Sequence, residues 1–181
     1  MLLEAINNGE LDEPRYQAWL YSGGMATITS YEGEIPVEHI QWMEQLPLYL
    51  DLEDIWLVHA GVNPHLPIEQ QTAEDFCWIR DEFHNIQEPY FPDKLIITGH
   101  TITFTIPGVE PGKIASGPGW LNIETGVYNS HSGWLTGLDM SQALVYQVNS
   151  RTAGVRTMPL ENAITKVKYG SIMSRWFQKI F

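Results

Sequence analysis

The sequence predicts an α/β fold in which mixed sheets pack as layers of a sandwich and do not form a doubly wound sheet. The first quarter of the chain has apolar residues at helical spacing, and short apolar runs follow it. The last runs are closely spaced, as in antiparallel strands. With 181 residues, of which 44% are hydrophobic and 12% aromatic, the chain can bury about 70% of its unfolded surface. We therefore expect a globular protein.

Three helical segments are predicted before residue 46. The first has an apolar face of Leu2, Leu3 and Ile6, the second covers residues 14–24, and the third covers residues 36–45. No capping residue precedes the first segment. We therefore expect that the beginning of this helix has been cut away.

Strands are predicted from residue 46 onward. The runs 48–50 and 55–58 lie on either side of an acidic turn, and the run 95–97 is typical of a buried strand. Between them we predict a helix over residues 68–80, and after them a loop rich in proline and glycine over residues 107–119. Further strands are predicted at residues 120–123, 134–140 and 143–148.

The net charge of −12 is unevenly distributed along the chain. Residues 1–150 hold 4 Lys and Arg against 21 Asp and Glu, a net charge of −17, whereas residues 151–181 hold 6 against 1, a net charge of +5. An acidic body repels nucleic acid, so no nucleic-acid partner is expected. The single cysteine, Cys77, cannot form an intramolecular disulfide, and no apolar window is long enough to span a bilayer. A cytoplasmic location is expected.

Two histidines and one arginine are the candidate site residues. His59 and His100 each lie where an apolar strand gives way to a turn that contains glycine, a position that suits a metal ligand. Ordinary hydrogen bonding is the alternative for each histidine. Arg80 follows an apolar pair at the end of the predicted helix, and its guanidinium can hold two phosphoryl oxygens. A salt bridge with Asp81 or Glu82 is the alternative for Arg80.

Several strings of the sequence follow one another in a fixed order. They are His59-Ala60-Gly61-Val62-Asn63-Pro64, Trp78-Ile79-Arg80-Asp81-Glu82-Phe83, Gly99-His100-Thr101, and Asn122-Ile123-Glu124-Thr125-Gly126 with Gly133-Trp134-Leu135-Thr136. This order resembles the calcineurin-like phosphoprotein phosphatases, especially the bacterial and phage serine/threonine phosphatases and the diadenosine tetraphosphatases. The resemblance covers residues 1 to about 150.

The resemblance implies the C-terminal part of an α/β/β/α sandwich and a metallophosphoesterase activity. It implies that His59 and His100 bind the second of two divalent metal ions, which would be Mn, Fe or Zn. It also implies that Arg80 binds the substrate phosphate and is the catalytic clamp on the transition state. In this family the metal ions activate a bridging water as hydroxide. The expected substrate is a phosphoprotein or a small phosphate ester, with a diadenosine polyphosphate as the alternative.

Part of the family's pattern does not occur in this sequence. The GDxHG, GDxxDRG and GNHE motifs, which supply the first metal ligands, the bridging aspartate and the general acid, are missing. Glu124 also stands where these enzymes commonly carry aspartate. We therefore expect little or no hydrolysis by this polypeptide alone.

Three alternatives follow from the missing motifs. The chain is a phosphatase without its N-terminal half, or a noncatalytic remnant that acts as a binding or interaction module, or a chain that a partner completes. The last alternative predicts a homo-oligomer.

The predicted domains are a metallophosphoesterase-like domain at residues 1–150, which lacks its N-terminal half, and a basic amphipathic extension at residues 151–181. In the extension, apolar residues recur at helical spacing from Tyr169 to Ile180, and basic residues lie outside that face. Packing on the acidic body is one interpretation of this pattern. Contact with a membrane surface or a partner is the other.

Overall fold

A computed structural model describes residues 2–7 and 10–167 of the chain. The chain divides into two compact units, Met1–Pro47 and Leu48–Phe181. The described residues form a mixed α/β structure with one mixed sheet, two small antiparallel sheets and few helices, as the sequence predicts at this level. None of the helices in the described part of the chain is both long and apolar enough to cross a bilayer.

The first unit is mainly helical. Its helices are α1 (Leu2–Ala5), α2 (Glu13–Trp19), which runs into a kinked turn at Leu20–Gly24, α3 (Met25–Ser30) and α4 (Val37–Glu44). Ser22 and Gly23 have non-helical backbone angles, with a φ of 109° at Gly23, so the second predicted segment, residues 14–24, breaks near its predicted end before α3 begins. The first predicted segment is corrected, because only four residues are helical before a two-stranded ribbon of β1 (Ile6–Asn7) and β2 (Glu10–Leu11). The side chain of Asp12 caps α2 by accepting a hydrogen bond from the backbone N–H of Arg15.

The second unit is built on a six-stranded mixed sheet, with strand order β11-β6-β7-β5-β4-β3. The strands are β3 (Tyr49–Leu52), β4 (Ile55–Val58), β5 (Leu95–Thr98), β6 (Ile114–Gly117), β7 (Trp120–Asn122) and β11 (Ile164–Lys166). The central strands β4, β5 and β7 are parallel to one another. Parallel neighbours end at the same edge of a sheet, so the residues that follow these three strands lie close together.

A three-stranded antiparallel sheet completes the second unit. It consists of β8 (Trp134–Asp139), β9 (Leu144–Asn149) and β10 (Val155–Pro159), in the order β10-β9-β8. The strand β10 and the short helix α7 (Leu160–Ala163) lie beyond residue 150 and lead into β11. The predicted helical face from Tyr169 to Ile180 lies outside the described residues.

The predicted helix over residues 68–80 is wrong as a single element. A 3₁₀ turn at Ile68–Gln70 precedes α5 (Ala73–Trp78), and α6 (Asp81–His84) follows after a break. Thr72 and Asp75 form a capping box at the start of α5. At Ile79 the backbone leaves the helical region, with φ −55° and ψ 144°. Arg80 therefore lies between two short helices and not at the end of one long helix.

Alternate side chains of the six-stranded sheet enter two different cores. On one face, Trp56, Ile96 and Trp120 pack with Phe76 and Phe83. On the other face, a second cluster unites Ile114 and Leu121 with Val145 of β9 and Ala163 of α7. Both faces of the sheet near β7 are therefore covered, which holds the ends of the central strands in place.

Candidate functional site

The ends of β4 and β5 bring two predicted site residues together. His59 follows β4 and His100 follows β5, and the backbone N–H of Gly99 donates to the carbonyl oxygen of His59 at 2.9 Å. The Nε2 atom of His59 lies 3.1 Å from the Nδ1 atom of His100. The ring centroids are 4.8 Å apart, with an interplanar angle of 61°. Two histidines separated by 41 positions in the sequence thus point their nitrogen atoms at each other.

The distance between these nitrogen atoms fits two kinds of chemistry. One imidazole N–H can donate to the other imidazole nitrogen at this separation. Two imidazole nitrogens that bind one ion at about 2.0–2.1 Å would lie about 2.8–3.4 Å apart for angles between octahedral and tetrahedral. The observed 3.1 Å falls within that interval. The pair therefore fits two ligands of a shared metal ion.

The backbone at His100 fixes the direction of its imidazole. This residue has a φ of 63°, in the left-handed region that few residues other than glycine adopt. The N–H of Thr101 donates to the carbonyl oxygen of Gly99 at 2.7 Å and closes the tight turn. The Trp78 ring packs edge-on against the imidazole, with ring centroids 5.6 Å apart. Nε2 of His100 is buried and has no hydrogen-bond partner among the described residues.

The surroundings keep both histidines neutral. Partial burial, followed by the charge of Arg80 and the repulsion that a protonated His59 would exert, lowers the pKa of His100 to about 4. Burial also lowers the pKa of His59, where the negative charge of Glu124 opposes this effect and the positive charge of Arg80 adds to it. A neutral imidazole has a free lone pair, which is the form that binds metal ions.

Arg80 presents an exposed cation beside the two histidines. Its Nη1 atom donates to Oγ1 of Thr101, the residue after His100, at 3.3 Å. Within the described part of the chain, Arg80 makes no salt bridge with a carboxylate, so the predicted alternative with Asp81 or Glu82 is not formed. An exposed guanidinium with donors left over can bind an anion such as phosphate.

Two buried residues that the sequence analysis did not single out connect these groups. His84 is 3% exposed and Asn122 is fully buried. The Nδ1 atom of His84 lies 2.8 Å from the carbonyl oxygen of Arg80, and its Nε2 atom lies 3.2 Å from Nδ2 of Asn122. The helical spacing of four residues between Arg80 and His84 is the signal in the sequence that could have identified the histidine.

Glu124 lies close enough for its charge to act on His59, and its carboxylate is already partly engaged. Its Oε1 atom accepts a hydrogen bond from the N–H of Gly126 at 3.0 Å. His131 is exposed and bonds to Asn129 within its own turn. Glu124 therefore acts on the site through its charge, whereas His131 has no contact with it.

A cleft of about 360 Å³ opens beside the strand ends. Its lining includes Leu57 and Gly99 from the large sheet, Glu124, and Leu135 from β8. A larger groove of about 800 Å³ is lined by Asp81, Glu88, Tyr90 and neighbouring residues, and none of His59, Arg80 and His100 lines it. None of these three residues lines the smaller cleft either, but that cleft includes Val58 and Gly99, which directly precede His59 and His100 in the chain.

The donor set of this site is incomplete for a tightly bound metal ion. In residues 2–7 and 10–167, no three or more His, Cys, Asp or Glu side chains are grouped so that they could hold a metal. Protein metal sites of this kind commonly use three or four ligands. His59 and His100 thus fit half of a site and need further ligands.

Comparisons of the chain with protein-family models, with curated proteins and with solved structures found no match. The geometry of the site and the motifs in the sequence therefore carry the functional argument.

Proposed function

We propose that this chain provides part of the active site of a two-metal phosphoesterase that hydrolyses phosphate monoesters such as phosphoproteins. The observation that carries the proposal is the 3.1 Å approach of His59 Nε2 and His100 Nδ1. The exposed Arg80 side chain, bonded to the neighbouring Thr101, supports it. The order of the motifs, which resembles the calcineurin-like phosphatases, gives the reaction class.

Each residue has a separate role in this proposal. His59 and His100 bind one divalent ion through their neutral nitrogens, and Arg80 binds and orients the phosphoryl group of the substrate. When bound, the metal ions would supply Lewis-acid polarisation of the phosphoryl oxygens and an activated water. Arg80 contributes most when charge builds up on those oxygens, because its donors are already fixed in position.

In this proposal, the carboxylate ligands that the metal ions still need come from outside the described residues. Two imidazoles without a carboxylate hold a divalent ion weakly. A preceding segment of a longer protein or a partner chain would supply the carboxylates, and either would be expected to approach the cleft beside Gly99 and Glu124. The isolated 181-residue chain is therefore expected to hydrolyse phosphate esters poorly or not at all.

Metal titration tests the histidine pair. We expect Mn²⁺ or Zn²⁺ to give a saturable, weak binding heat with the 181-residue chain. His59→Ala and His100→Asn should abolish that heat, whereas His131→Ala should leave it unchanged. Asparagine is chosen at position 100 because it tolerates a positive φ. Unchanged binding after both site substitutions would remove the histidines from the proposed metal site.

Hydrolysis of p-nitrophenyl phosphate with added Mn²⁺ tests the reaction class. The chain alone is compared with the same chain extended by any upstream coding sequence that contains the GNHE motif. Activity only in the extended protein, lost again in Arg80→Ala, would support the proposal. Inactivity of both proteins would favour the interaction module.

A further inference from the structure

Four residues around the site form a closed ring of hydrogen bonds. The carbonyl oxygen of Arg80 bonds to Nδ1 of His84 at 2.8 Å, and Nε2 of His84 bonds to Nδ2 of Asn122 at 3.2 Å. Nδ2 of Asn122 also donates to the carbonyl oxygen of Thr101 at 2.8 Å. The hydroxyl of Thr101 accepts from Nη1 of Arg80 at 3.3 Å. The ring therefore starts at the backbone of Arg80 and returns to its guanidinium.

The hydrogen-bond chemistry fixes the orientation of each group in the ring. Oδ1 of Asn122 accepts from the N–H of Glu124 at 2.9 Å, so the other end of the amide must be the NH₂ group. That NH₂ group can only donate, and Nε2 of His84 must therefore accept. A neutral histidine then carries its proton on Nδ1, which donates to the carbonyl oxygen of Arg80.

The packing around His84 supports the same protonation state. Its ring lies edge-on to that of Trp120, with centroids 5.0 Å apart. Burial lowers the pKa of His84, although the bond to Arg80 and the charge of Asp81 oppose the effect, and the charge of Arg80 adds to it. A second proton on Nε2 would face the NH₂ group of Asn122, donor against donor.

We propose that His84 and Asn122 are positioning residues that hold the Arg80 guanidinium ready for a phosphoryl group, an inference that rests on the proposed function. His84 and the N–H groups of Phe83 and His84 all donate to the carbonyl of Arg80, so its backbone is held from three directions. Asn122 holds the carbonyl of Thr101, whose hydroxyl anchors the guanidinium. Without the ring, an exposed arginine side chain would sample many rotamers and bind an anion less well.

A buried histidine that merely fills the core is the competing explanation. Such a histidine would affect stability and have no particular effect on Arg80. Three substitutions separate the two explanations. His84→Phe keeps an aromatic ring but removes both hydrogen bonds. His84→Asn leaves a smaller side chain but keeps an N–H donor near the position of Nδ1. Thr101→Val breaks the ring at its other end with little change in volume.

The test is a titration of the 181-residue chain with inorganic phosphate in the presence of a chelator. The side-chain NMR signal of Arg80 reports binding, and thermal unfolding is measured on the same proteins. The ring loses two bonds in His84→Phe and one in Thr101→Val, and either interruption should weaken phosphate binding about fivefold or more. His84→Asn should retain most of the affinity although it unfolds at a lower temperature. The control His131→Phe should match the wild type.

The outcomes distinguish this inference from the proposed function. The positioning role alone would be overturned if the phosphate affinities of the variants ranked in the same order as their unfolding temperatures. In that case His84→Asn would bind phosphate more weakly than His84→Phe. A nitrogen NMR spectrum that places the proton of His84 on Nε2 would also overturn the positioning role alone. Arg80→Ala removes the NMR reporter, so phosphate binding by this variant is measured by calorimetry. A calorimetric phosphate affinity that Arg80→Ala leaves unchanged would overturn both the positioning role and the assignment of Arg80 to phosphate.

Discussion

The backbone of Gly61 passes against a phenylalanine ring two residues after His59. A Cβ atom at this position would lie 2.6 Å from two ring atoms of Phe83 and 3.0 Å from a methyl group of Ile79. Phe83 is fully buried, so it has little room to move. We expect Gly61→Ala to lower the free energy of unfolding by about 1–3 kcal/mol, measured by urea denaturation.

Gly99→Ala is the matched control for this substitution. A Cβ atom on Gly99 would meet only the carbonyl oxygen of His59, at 3.8 Å, which is an ordinary contact. A loss of stability in Gly99→Ala as large as that in Gly61→Ala would contradict the steric explanation.

The buried His84 predicts how stability depends on pH. Its pKa in the folded chain is lowered, chiefly by burial, from an unfolded value of about 6.5. The unfolded chain therefore takes up a proton at a pH where folded His84 remains neutral. This contribution to stability is fully present above pH about 6.5 and is lost as the pH falls toward the folded pKa.

The measurement is urea unfolding at several pH values below neutrality. His84→Asn should reduce the loss of stability on acidification, because one proton-binding group has been removed. His131→Asn, at an exposed site, should keep the wild-type slope. Identical slopes for wild type and His84→Asn would show that His84 is not the group that titrates.

At the scale of elements, α5 depends on its capping box. The hydroxyl of Thr72 accepts from the N–H of Asp75, and the carboxylate of Asp75 accepts from the N–H of Thr72. Thr72→Ala should lower the free energy of unfolding by about 1 kcal/mol, as measured by thermal or urea unfolding. Thr72→Ser keeps a hydroxyl and should restore most of the stability. An equal loss in both variants would argue that the cap contributes little.

The helix predicted over residues 68–80 shows where the sequence argument failed. The segment was predicted as one polar helix, but Thr72-Ala73-Glu74-Asp75 is a helix start signal in the middle of it. The N–H of Ile79 makes the last helical bond, to the carbonyl of Asp75, and the extended backbone at Ile79 ends α5 before Arg80. The capping box and the break at Ile79 thus divide the predicted helix.

The strands were predicted where apolar runs are continuous, and β6, β10 and β11, which lack such runs, were missed. Residues 55–58 and 95–97 match β4 and β5 closely. The predicted loop over residues 107–119 is wrong for Ile114–Gly117, which forms β6 among glycines. The short strand β11 was missed because its parallel partner, β6, lies about 50 residues earlier.

Some residues of the candidate site could be found from the sequence, and others could be found only from the folded structure. Matching strand ends led to His59 and His100, which the structure brings within hydrogen-bond distance, although their role as ligands stays a prediction. The bond between His84 and Asn122 joins residues 38 positions apart. Nothing periodic links those two positions, so only the folded structure reveals their contact.

At the scale of the whole molecule, one edge of the large sheet exposes apolar side chains. Leu50 and Leu52 of the edge strand β3 are 47% and 49% exposed, and they lie opposite Leu57 and Ile55 on one face. Exposed apolar edges promote association with another chain. We expect the 181-residue chain to self-associate, with a mass that rises with concentration in analytical ultracentrifugation.

Charge on this edge should reduce self-association. Leu50→Lys with Leu52→Lys is expected to shift the protein toward monomer at the same concentration. The control, Tyr128→Lys with Val155→Lys, adds the same charge at other exposed sites and should leave the association intact. If both double variants dissociate equally, net charge and not the β3 edge controls assembly.

The strand order also sets a sequence of events during synthesis. All the strands that carry the site are complete once the ribosome has added Gly126, yet the large sheet gains its last strand, β11, only at Lys166. At 5–20 residues per second this interval lasts roughly 2–8 s. Ile114 and Leu121 lack Val145 for the first part of this interval and Ala163 for nearly all of it, although both are their neighbours in the second core. The residues of the site are therefore synthesised before the core that supports β7 is complete.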